Sequence, residues 1–351
     1  MCNIFINFAS EIQLGMNLVQ TEKTTRLEAL LKAARTVAIV SHTHPDGDAL
    51  GSTAAMFFYL KEVRGKDVKV VYPEPLSPNI KFISEGVESV PAVPRLGRED
   101  LLIALDLNGL ERAGEIAEEL QGLECPKVLI DHHLAPHTEE FTLWFSRQDV
   151  SSACELLYFI LKEMEGGDPH RLPIRTATAL MSGMTTDTNN FANSTFPSTL
   201  QMASELLECG VDRDSIVQKI FNSYRVNRMQ AISYLLSQRL VLKGGLAYIV
   251  IYKEDLERFE LEEGELEGLV NMPLTTAEIV MSITLKEDSD HFRVSIRSKK
   301  GTSANSLARE CFNGGGHEQA AGGKLFFPKD IKTKYDAGAY VEKSAARFVH
   351  N

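Results

Sequence analysis

No CxxC pair occurs among the 351 residues, and the five cysteines (Cys2, Cys125, Cys154, Cys209 and Cys311) are scattered and odd in number. This argues against a cysteine zinc site or a disulfide framework, and leaves reduced thiols in a cytoplasmic protein as the expectation. Basic excess is missing too. A formal net charge of −11 argues against a long electrostatic grip on duplex nucleic acid, because neutralising a run of phosphates needs a basic surface. It leaves room for a small phosphate ester or a short oligonucleotide held by a few local contacts. The stretch MCNIFINFASEIQLGMNLVQ contains no Lys or Arg, the first being Lys23. It therefore lacks the positive flank of a secretory signal, and no later run is long enough to span a bilayer, so no membrane partner is expected. Residues 1–20 read as an extension outside the core fold, with Met16 as an alternative start. There is no long internal repeat and no low-complexity tract.

What is present suits a large core. Hydrophobic residues make up 44% of the chain, and its length suggests about two domains. Four short apolar runs recur in the first half: TVAIV (36–40), VKVVY (68–72), LLIAL (101–105) and KVLI (127–130). Helical patterns such as DALGSTAAMFFYLKEVRG and SSACELLYFILKEM lie between or after them. Buried strands alternating with helices predict an α/β domain with a mainly parallel sheet flanked by helices. From about 197 to 235 the pattern turns helical. LAYIVIY (246–252), AEIVMSITL (277–285) and HFRVSIRS (291–298) then read as strands of a smaller second α/β domain. The expected division is 21–210 for the first domain, 211–235 for a helical connector and 236–351 for the second. Charge is uneven: 253–290 holds 12 acidic residues against 3 basic, while 291–351 holds 11 basic against 5 acidic. The basic segment fits a confined anion site or a merely solvated surface.

Acids and imidazoles follow three of the four strands. TVAIV runs into SHTHPDGDALGS, with His42, His44, Asp46 and Asp48; LLIAL runs into DLNG, with Asp106; KVLI runs into DHH, with Asp131, His132 and His133. The carboxyl ends of parallel strands open into a common crevice, so these side chains are expected to converge. ALMSGMTTDTNNF (179–191) reads as an apolar helix ending in Asp187. Taken singly, each has a plainer reading: Asp187 a cap or turn, Asp106 the cap of a following helix. Together they form a carboxylate and imidazole set suited to Mn²⁺, Mg²⁺, Fe²⁺, Co²⁺ or Zn²⁺, leaning toward the harder ions. Pro45 and Gly47 make HTHPDGD a turning loop, so its ligands need not obey helical spacing. Crowded carboxylates repel one another unless cations balance them, and two divalent ions would balance Asp46, Asp48, Asp106 and Asp187.

Far downstream lies NGGGHEQAAGG (313–323). Its three glycines allow close backbone approach and offer N–H groups to an anion, unless the segment is a plain flexible loop. EQAA is expected to begin a helix whose N-terminus favours phosphate. Nearby RVSIRSKKGTSANSLA supplies Arg297 as a phosphate fork and Asn305 as a polar contact, with Lys299 and Lys300 solvated turn residues.

Together these segments resemble the DHH phosphoesterase superfamily, in the subgroup with a DHHA1 C-terminal domain. SHTHPDGDALGS is similar to its first motif, ALDLNG to its second, IDHH to its third, GMTTDTNNF to its fourth, and GGGHEQAAGG to the DHHA1 signature. In size and motif style the chain looks like the short-oligoribonucleotide hydrolases (nanoRNases) that also dephosphorylate 3′-phosphoadenosine 5′-phosphate. The resemblance implies a two-metal phosphoesterase that acts through a metal-activated water, usually with Mn²⁺ and with Mg²⁺ or Co²⁺ as substitutes. It implies His42, Asp46 and Asp106 on one ion and Asp48, Asp106, His132 and Asp187 on the other, with Asp106 bridging. Asp131 would orient the imidazoles, and His133 would polarise or protonate at the scissile phosphate. Arg297, Asn305, Gly314, Gly315, Gly316 and His317 would receive the remainder of the substrate. A homodimer is compatible with all of this. The rival readings are a cyclic or linear dinucleotide phosphodiesterase and, in another class, a non-catalytic nucleotide-binding regulator. Pyrophosphatase is disfavoured by GGGH, processive exonuclease by the missing basic track, and a zinc hydrolase of another fold by the ligand spacing.

Overall fold

A computed structural model describes residues 18–72, 74, 76, 80–94, 100–262 and 264–349. Residues 1–17 of the expected extension, with Cys2 and Met16, lie outside the described residues. The chain divides into two compact units, Met1–Ser223 and Tyr224–Asn351.

In the first unit, β1 (Thr36–Val40), β2 (Asp67–Val71), β3 (Ser89–Val90), β4 (Leu101–Leu105), β5 (Lys127–Asp131) and β6 (Leu143–Ser146) form one sheet. Their order is β3-β2-β1-β4-β5-β6, with every neighbouring pair parallel. The helices are α1 (Thr21–Ala33), α2 (Gly47–Glu62), α3 (Ala117–Gln121), α4 (Ala153–Met164), α5 (Ile174–Asp187), α6 (Pro197–Glu208) and α7 (Arg213–Phe221). The chain steps outward from β1 to β2 and β3, then returns to place β4 on the other side of β1. That reversal is the switch point at which α/β sheets leave a crevice.

The unbroken apolar runs follow from covering both faces of the sheet. Successive residues of a strand face opposite ways. Val37, Ile39, Ile103, Val128 and Ile130 accordingly share a core with Leu50, Met56, Leu157 and Leu180 of α2, α4 and α5. Ala38, Val40, Leu102, Ala104 and Leu129 pack on the other side with Leu110, Ala113 and Leu120. β3 and β6 were not read from the sequence. β3 has two residues, too few for any pattern, and β6 is a four-residue edge strand in which Leu143 and Phe145 are buried while Trp144 is exposed.

Helix α2 is buried continuously from Gly47 to Leu60, which requires apolar or small residues all round. Its contact with α5 is a seam of small residues. A Cβ on Gly51 would lie 2.8 Å from the Ala179 carbonyl and the Gly183 Cα, and one on Gly47 would lie 2.3 Å from Thr186 Oγ1. A Cβ on Gly183 would meet Cys154 Sγ at 2.3 Å. Gly47 is thus the first residue of the helix, and room for Thr186 is what demands glycine there. The seam brings the start of α2, carrying Asp48, against the end of α5, carrying Asp187.

The second unit contains α8 (Val226–Gln238), β7 (Leu240–Lys243), β8 (Leu246–Ile251), α9 (Lys253–Arg258), β9 (Met281–Glu287), β10 (His291–Ser298), α10 (Ala304–Cys311), β11 (Gly315–Gly316), β12 (Ala320–Phe326) and α11 (Ala337–Ala345). Its mixed sheet runs β11-β12-β10-β9-β8-β7, with β8 and β9 parallel and the other pairs antiparallel. One correction to the sequence reading falls here. EQAA does not begin a helix: Ala320–Phe326 is a strand paired with β10, and Gly315–Gly316 pair with it in turn. The glycines serve close sheet packing, since a Cβ on Gly323 would lie 2.3 Å from the Phe312 carbonyl and one on Gly314 1.9 Å from that of Gly322. Helix-like local composition loses there to strand pairing that only Gly permits.

Among the described residues, no helix is long and apolar enough to cross a membrane. Cys125, Cys154, Cys209 and Cys311 are unpaired thiols.

Candidate metal centre

The loop after β1 and the first turn of α2 supply three side chains. His42 Nδ1 lies 2.8 Å from the Thr43 carbonyl; a carbonyl only accepts, so Nδ1 carries a proton, and in the neutral ring Nε2 is the nitrogen with the lone pair. Nε2 stands 3.5 Å from Asp106 Oδ2 and 4.0 Å from Asp46 Oδ1. Asp46 caps α2, accepting from the backbone N–H of Asp48 at 3.0 Å and of Ala49 at 3.1 Å. Capping uses only Oδ1, and the side chain remains 59% exposed. Asp48 is 1% exposed. Its Oδ2 accepts from Ala153 N at 2.6 Å and its Oδ1 from Cys154 N at 3.0 Å, both at the start of α4. His44 points elsewhere and pairs with Glu74 at 2.9 Å.

Asp106, directly after β4, has φ +58°, a left-handed conformation that a residue with a Cβ adopts at a cost. It does not cap the following turn, where Leu110 N donates to Glu140 instead. Asp106 Oδ1 is buried and makes no hydrogen bond, although His132 Nε2 is 3.5 Å and His133 Nδ1 3.6 Å away. Asp131, fully buried at the end of β5, accepts from His133 twice, from its backbone N–H at 3.0 Å and from Nδ1 at 2.7 Å. That contact fixes the orientation of the His133 ring. Asp187 is the last residue of α5, and its Oδ2 lies 3.8 Å from His132 Nε2, as does Asp48 Oδ2.

Three donor groups emerge, each offering atoms within 4.8 Å of one another: His42, Asp46 and Asp106; Asp48, His132 and Asp187; and Asp106, His132 and His133. Asp106 belongs to two of them. A further trio, Glu111, His137 and Glu140, is more exposed, and Glu140 is engaged by Leu110 N and Gln121.

The ionisation of this cluster is unbalanced. Burial lowers the affinity of His42 for a proton, but the facing Asp106 and the charge of Asp46 outweigh it and push the imidazole up to about 9. His132 is pushed up to about 10, burial again being outweighed by Asp106 and Asp187. Burial, then the charge of Asp106, pushes Asp48 up to about 7. Burial and Asp48 raise Asp187 well above the carboxylate range. Asp106 goes the other way: burial would raise it, but His132 and His42 hold it low.

The residues fit divalent cations on four counts. The donors are carboxylate and imidazole. A buried Asp106 oxygen has no hydrogen bond among the described residues, which is costly unless something ligates it. His42, its Nδ1 donating to the Thr43 carbonyl, turns Nε2 toward two carboxylates. Asp187 places negative charge at a helix C-terminus, where the macrodipole is already negative, so a cation is the natural complement.

The downstream residues lie in the second unit. Arg297 sits near the end of β10, half-buried. Burial lowers its pKa, and its guanidinium donates to the Ile296 carbonyl at 3.0 Å with no carboxylate recorded against it among the described residues. Asn305 Oδ1 accepts from Gly316 N at 3.1 Å, and Gly316 has φ +147°. His317 N donates to the Ala320 carbonyl at 2.8 Å, closing the turn between β11 and β12. The structure thus joins Asn305 to the glycine segment by a hydrogen bond and sets Arg297 opposite Ala320 on the neighbouring strand. Sequence reasoning missed Gly51, Gly183 and the first residues of α4. The small-residue pattern of ALMSGM was the only available signal for Gly183.

Residues 36–184 match the DHH family, N-terminal domain, and residues 244–333 match the DHHA1 domain. Over 314 residues the chain is 26% identical to the bifunctional oligoribonuclease and PAP phosphatase NrnA of Bacillus subtilis, covering 86% of this chain and 93% of that one. The cyclic-di-AMP phosphodiesterase PdeA of Listeria monocytogenes is 25% identical over 321 residues, 87% of this chain but 46% of that protein. The crystal structure of an exopolyphosphatase-related protein from Bacteroides fragilis superposes with a TM-score of 0.85 at 29% identity, covering 94% of this chain and 97% of that chain.

Proposed function

Because the chain joins a DHH family N-terminal domain to a DHHA1 domain, it belongs to the DHH–DHHA1 phosphoesterases, and we propose that it hydrolyses short oligoribonucleotides, 3′-phosphoadenosine 5′-phosphate, or both. The observation that carries this reading is the convergence of Asp46, Asp48, Asp106 and Asp187 with His42 and His132, from loops and helices far apart in sequence, around an Asp106 oxygen that has no hydrogen bond. Similarity to the Bacillus subtilis oligoribonuclease and PAP phosphatase along 93% of its length supports the substrate class.

On this reading His42, Asp46 and Asp106 hold one divalent ion, and Asp48, Asp106, His132 and Asp187 hold a second, with Mn²⁺ as the ion of choice and Mg²⁺ or Co²⁺ as substitutes. Bound there, the pair supplies an acidified water as nucleophile and neutralises charge on the phosphoryl oxygens. The chain's own side chains do the rest. Thr43 and Asp131 fix the rings of His42 and His133. His133 stands beside Asp106, where it can donate a proton to a phosphoryl or leaving oxygen. In the second unit, Arg297 is a desolvated cation without a carboxylate partner among the described residues, which suits a phosphate or phosphodiester group. Asn305, Gly314, Gly315, Gly316 and His317 are assigned to the part of the ligand that is not cut. We assign 21–210 to metal binding and catalysis, 211–235 to a connector, and 236–351 to substrate recognition. The acidic net charge is compatible, since a ligand of two to five nucleotides needs few basic contacts.

A second reading, cleavage of a cyclic or linear dinucleotide, draws on the similarity to the Listeria monocytogenes phosphodiesterase, of which this chain spans 46%. One substrate panel assayed with Mn²⁺ ranks the two. It contains RNA dinucleotide to pentanucleotide, 3′-phosphoadenosine 5′-phosphate, linear and cyclic dinucleotides, pyrophosphate and polyphosphate. Short RNA or 3′-phosphoadenosine 5′-phosphate should give the highest catalytic efficiency, and Asp106→Ala should abolish turnover on it. Full turnover by that variant, freed of contaminating nucleases, would refute the two-ion reading.

A further inference from the structure

Glu155 is a fully buried carboxylate in the first turn of α4 that the reaction does not call upon. One oxygen, Oε2, accepts three hydrogen bonds: from Ser151 N at 2.9 Å, from Ser151 Oγ at 2.5 Å and from Thr199 Oγ1 at 2.6 Å. The other, Oε1, is buried with no partner among the described residues. A carboxylate left half-satisfied in an apolar interior is expensive, so its position calls for a reason beyond packing.

Two chains of contacts meet at Oε2. In one, Ser151 and Ser152 lead into α4, with Ser152 Oγ capping Glu155 N at 3.0 Å. The next two backbone N–H groups of that helix, those of Ala153 and Cys154, donate to the two oxygens of Asp48. In the other, Thr199 in the first turn of α6 donates to Glu155 and accepts from Phe196 N at 3.0 Å. Phe196 ends the loop that leaves Asp187, a loop in which Asn189, Asn190, Phe191 and Ser194 all have positive φ, between 46° and 67°. Four strained non-glycine residues hold such a path only when both ends are fixed.

We propose that Glu155 is a positioning residue that ties Asp48 to Asp187: it fastens the helix start that grips the first to the helix start that anchors the loop behind the second. The spacing of these two carboxylates about His132 is then set by one buried oxygen. The inference rests on the two-ion reading, and it concerns the ion held by Asp48, His132 and Asp187, not the one held by His42 and Asp46.

The test uses the full-length protein stripped of metal, with Mn²⁺ binding followed by loss of the free-ion paramagnetic resonance signal. Hydrogen exchange at Ala153, Cys154 and Phe196 supplies a readout that needs no metal. Glu155→Gln and Thr199→Val should each weaken one of two Mn²⁺ sites about tenfold or more, leave the other unchanged, and speed exchange at those three amides. Thr199→Ser, which keeps the hydroxyl, should restore both readouts. The double variant should be little worse than either single one, because both cut the same link. Equal weakening of both sites, or unchanged affinity and exchange, would overturn the proposal. Should Glu155→Gln fail to fold, the Thr199→Val and Thr199→Ser pair decides it. Wild-type protein that takes up fewer than two ions would instead refute the two-ion reading, and the inference with it.

Discussion

Gly183→Ala offers the sharpest test of how the two halves of the carboxylate cluster are held together. On helix propensity alone the change should stabilise α5 by about 1 kcal/mol. The structure predicts the opposite. An added Cβ would lie 2.3 Å from Cys154 Sγ, 3.1 Å from the Gly47 carbonyl and 3.2 Å from the Cα of Asp48. Carbon and sulfur come no closer than roughly 3.5 Å without repulsion, so Cys154 or α5 must retreat by about 1 Å. Overpacking of this kind costs about 1–3 kcal/mol. After the propensity gain, a net loss of up to about 2 kcal/mol remains, a fall in Tm of up to roughly 8 °C for a unit of this size. All three contacts belong to the elements that carry and grip Asp48, so Mn²⁺ affinity should fall as well. Thermal denaturation with and without Mn²⁺ measures both effects. Cys154→Ala in the same chain removes the worst contact and should recover part of each. A variant as stable as wild type, with undiminished Mn²⁺ affinity, would refute the claim that the glycine seam sets the ligand spacing.

Asp187→Asn should have effects of opposite sign on the ion-free and ion-loaded protein. Burial and Asp48 disfavour the charged form of Asp187 in the ion-free protein, a cost to folding that the amide does not carry, so the ion-free Tm should rise while the increment on adding Mn²⁺ shrinks; a fall in the ion-free Tm would contradict the charge argument. The pH dependence follows from the imidazoles and Asp48. His42 and His132, raised from 6.5 to about 9 and about 10, give the ion-free protein stability that is complete below their unfolded value and lost as pH rises through the folded values. Asp48, raised from 3.8 to about 7, likewise makes its loss as pH rises from about 4 to 7. Ligation needs neutral imidazole and ionised carboxylate, so the Tm increment from Mn²⁺ should be larger at about pH 8.5 than at about pH 6; an increment that shrinks with rising pH would break the argument. His317→Ala should chiefly raise KM, and a variant with lowered kcat and unchanged KM would show that the glycine segment has been given the wrong role.

The strands after which the acids and imidazoles stand were legible because a parallel sheet covered on both faces leaves continuous apolar runs in the sequence. The same physics hid β6, whose exposed Trp144 breaks the run, and β12, whose Gly322 and Gly323 carry no strand signal. EQAA read as a helix start because local composition says nothing about the partner strand β10, which decides the matter. Asp106 could be read as a cap until its φ and its unbonded oxygen were known. Asp46, by contrast, both caps α2 and faces His42, and the sequence could not separate the two.

What the sequence by itself determined is the inventory: which acids and imidazoles exist, that they end buried strands or an apolar helix, and that metal chemistry suits them. Residue type and the period of apolar residues are local properties, so they survive without a fold. What only the tertiary structure decided is distance. The seam at Gly47, Gly51 and Gly183 and the grip of α4 on Asp48 are relations between segments more than a hundred residues apart, and the buried Glu155 joins helix starts 44 residues apart. They depend on two helices approaching to within one missing methyl group, which no linear pattern records.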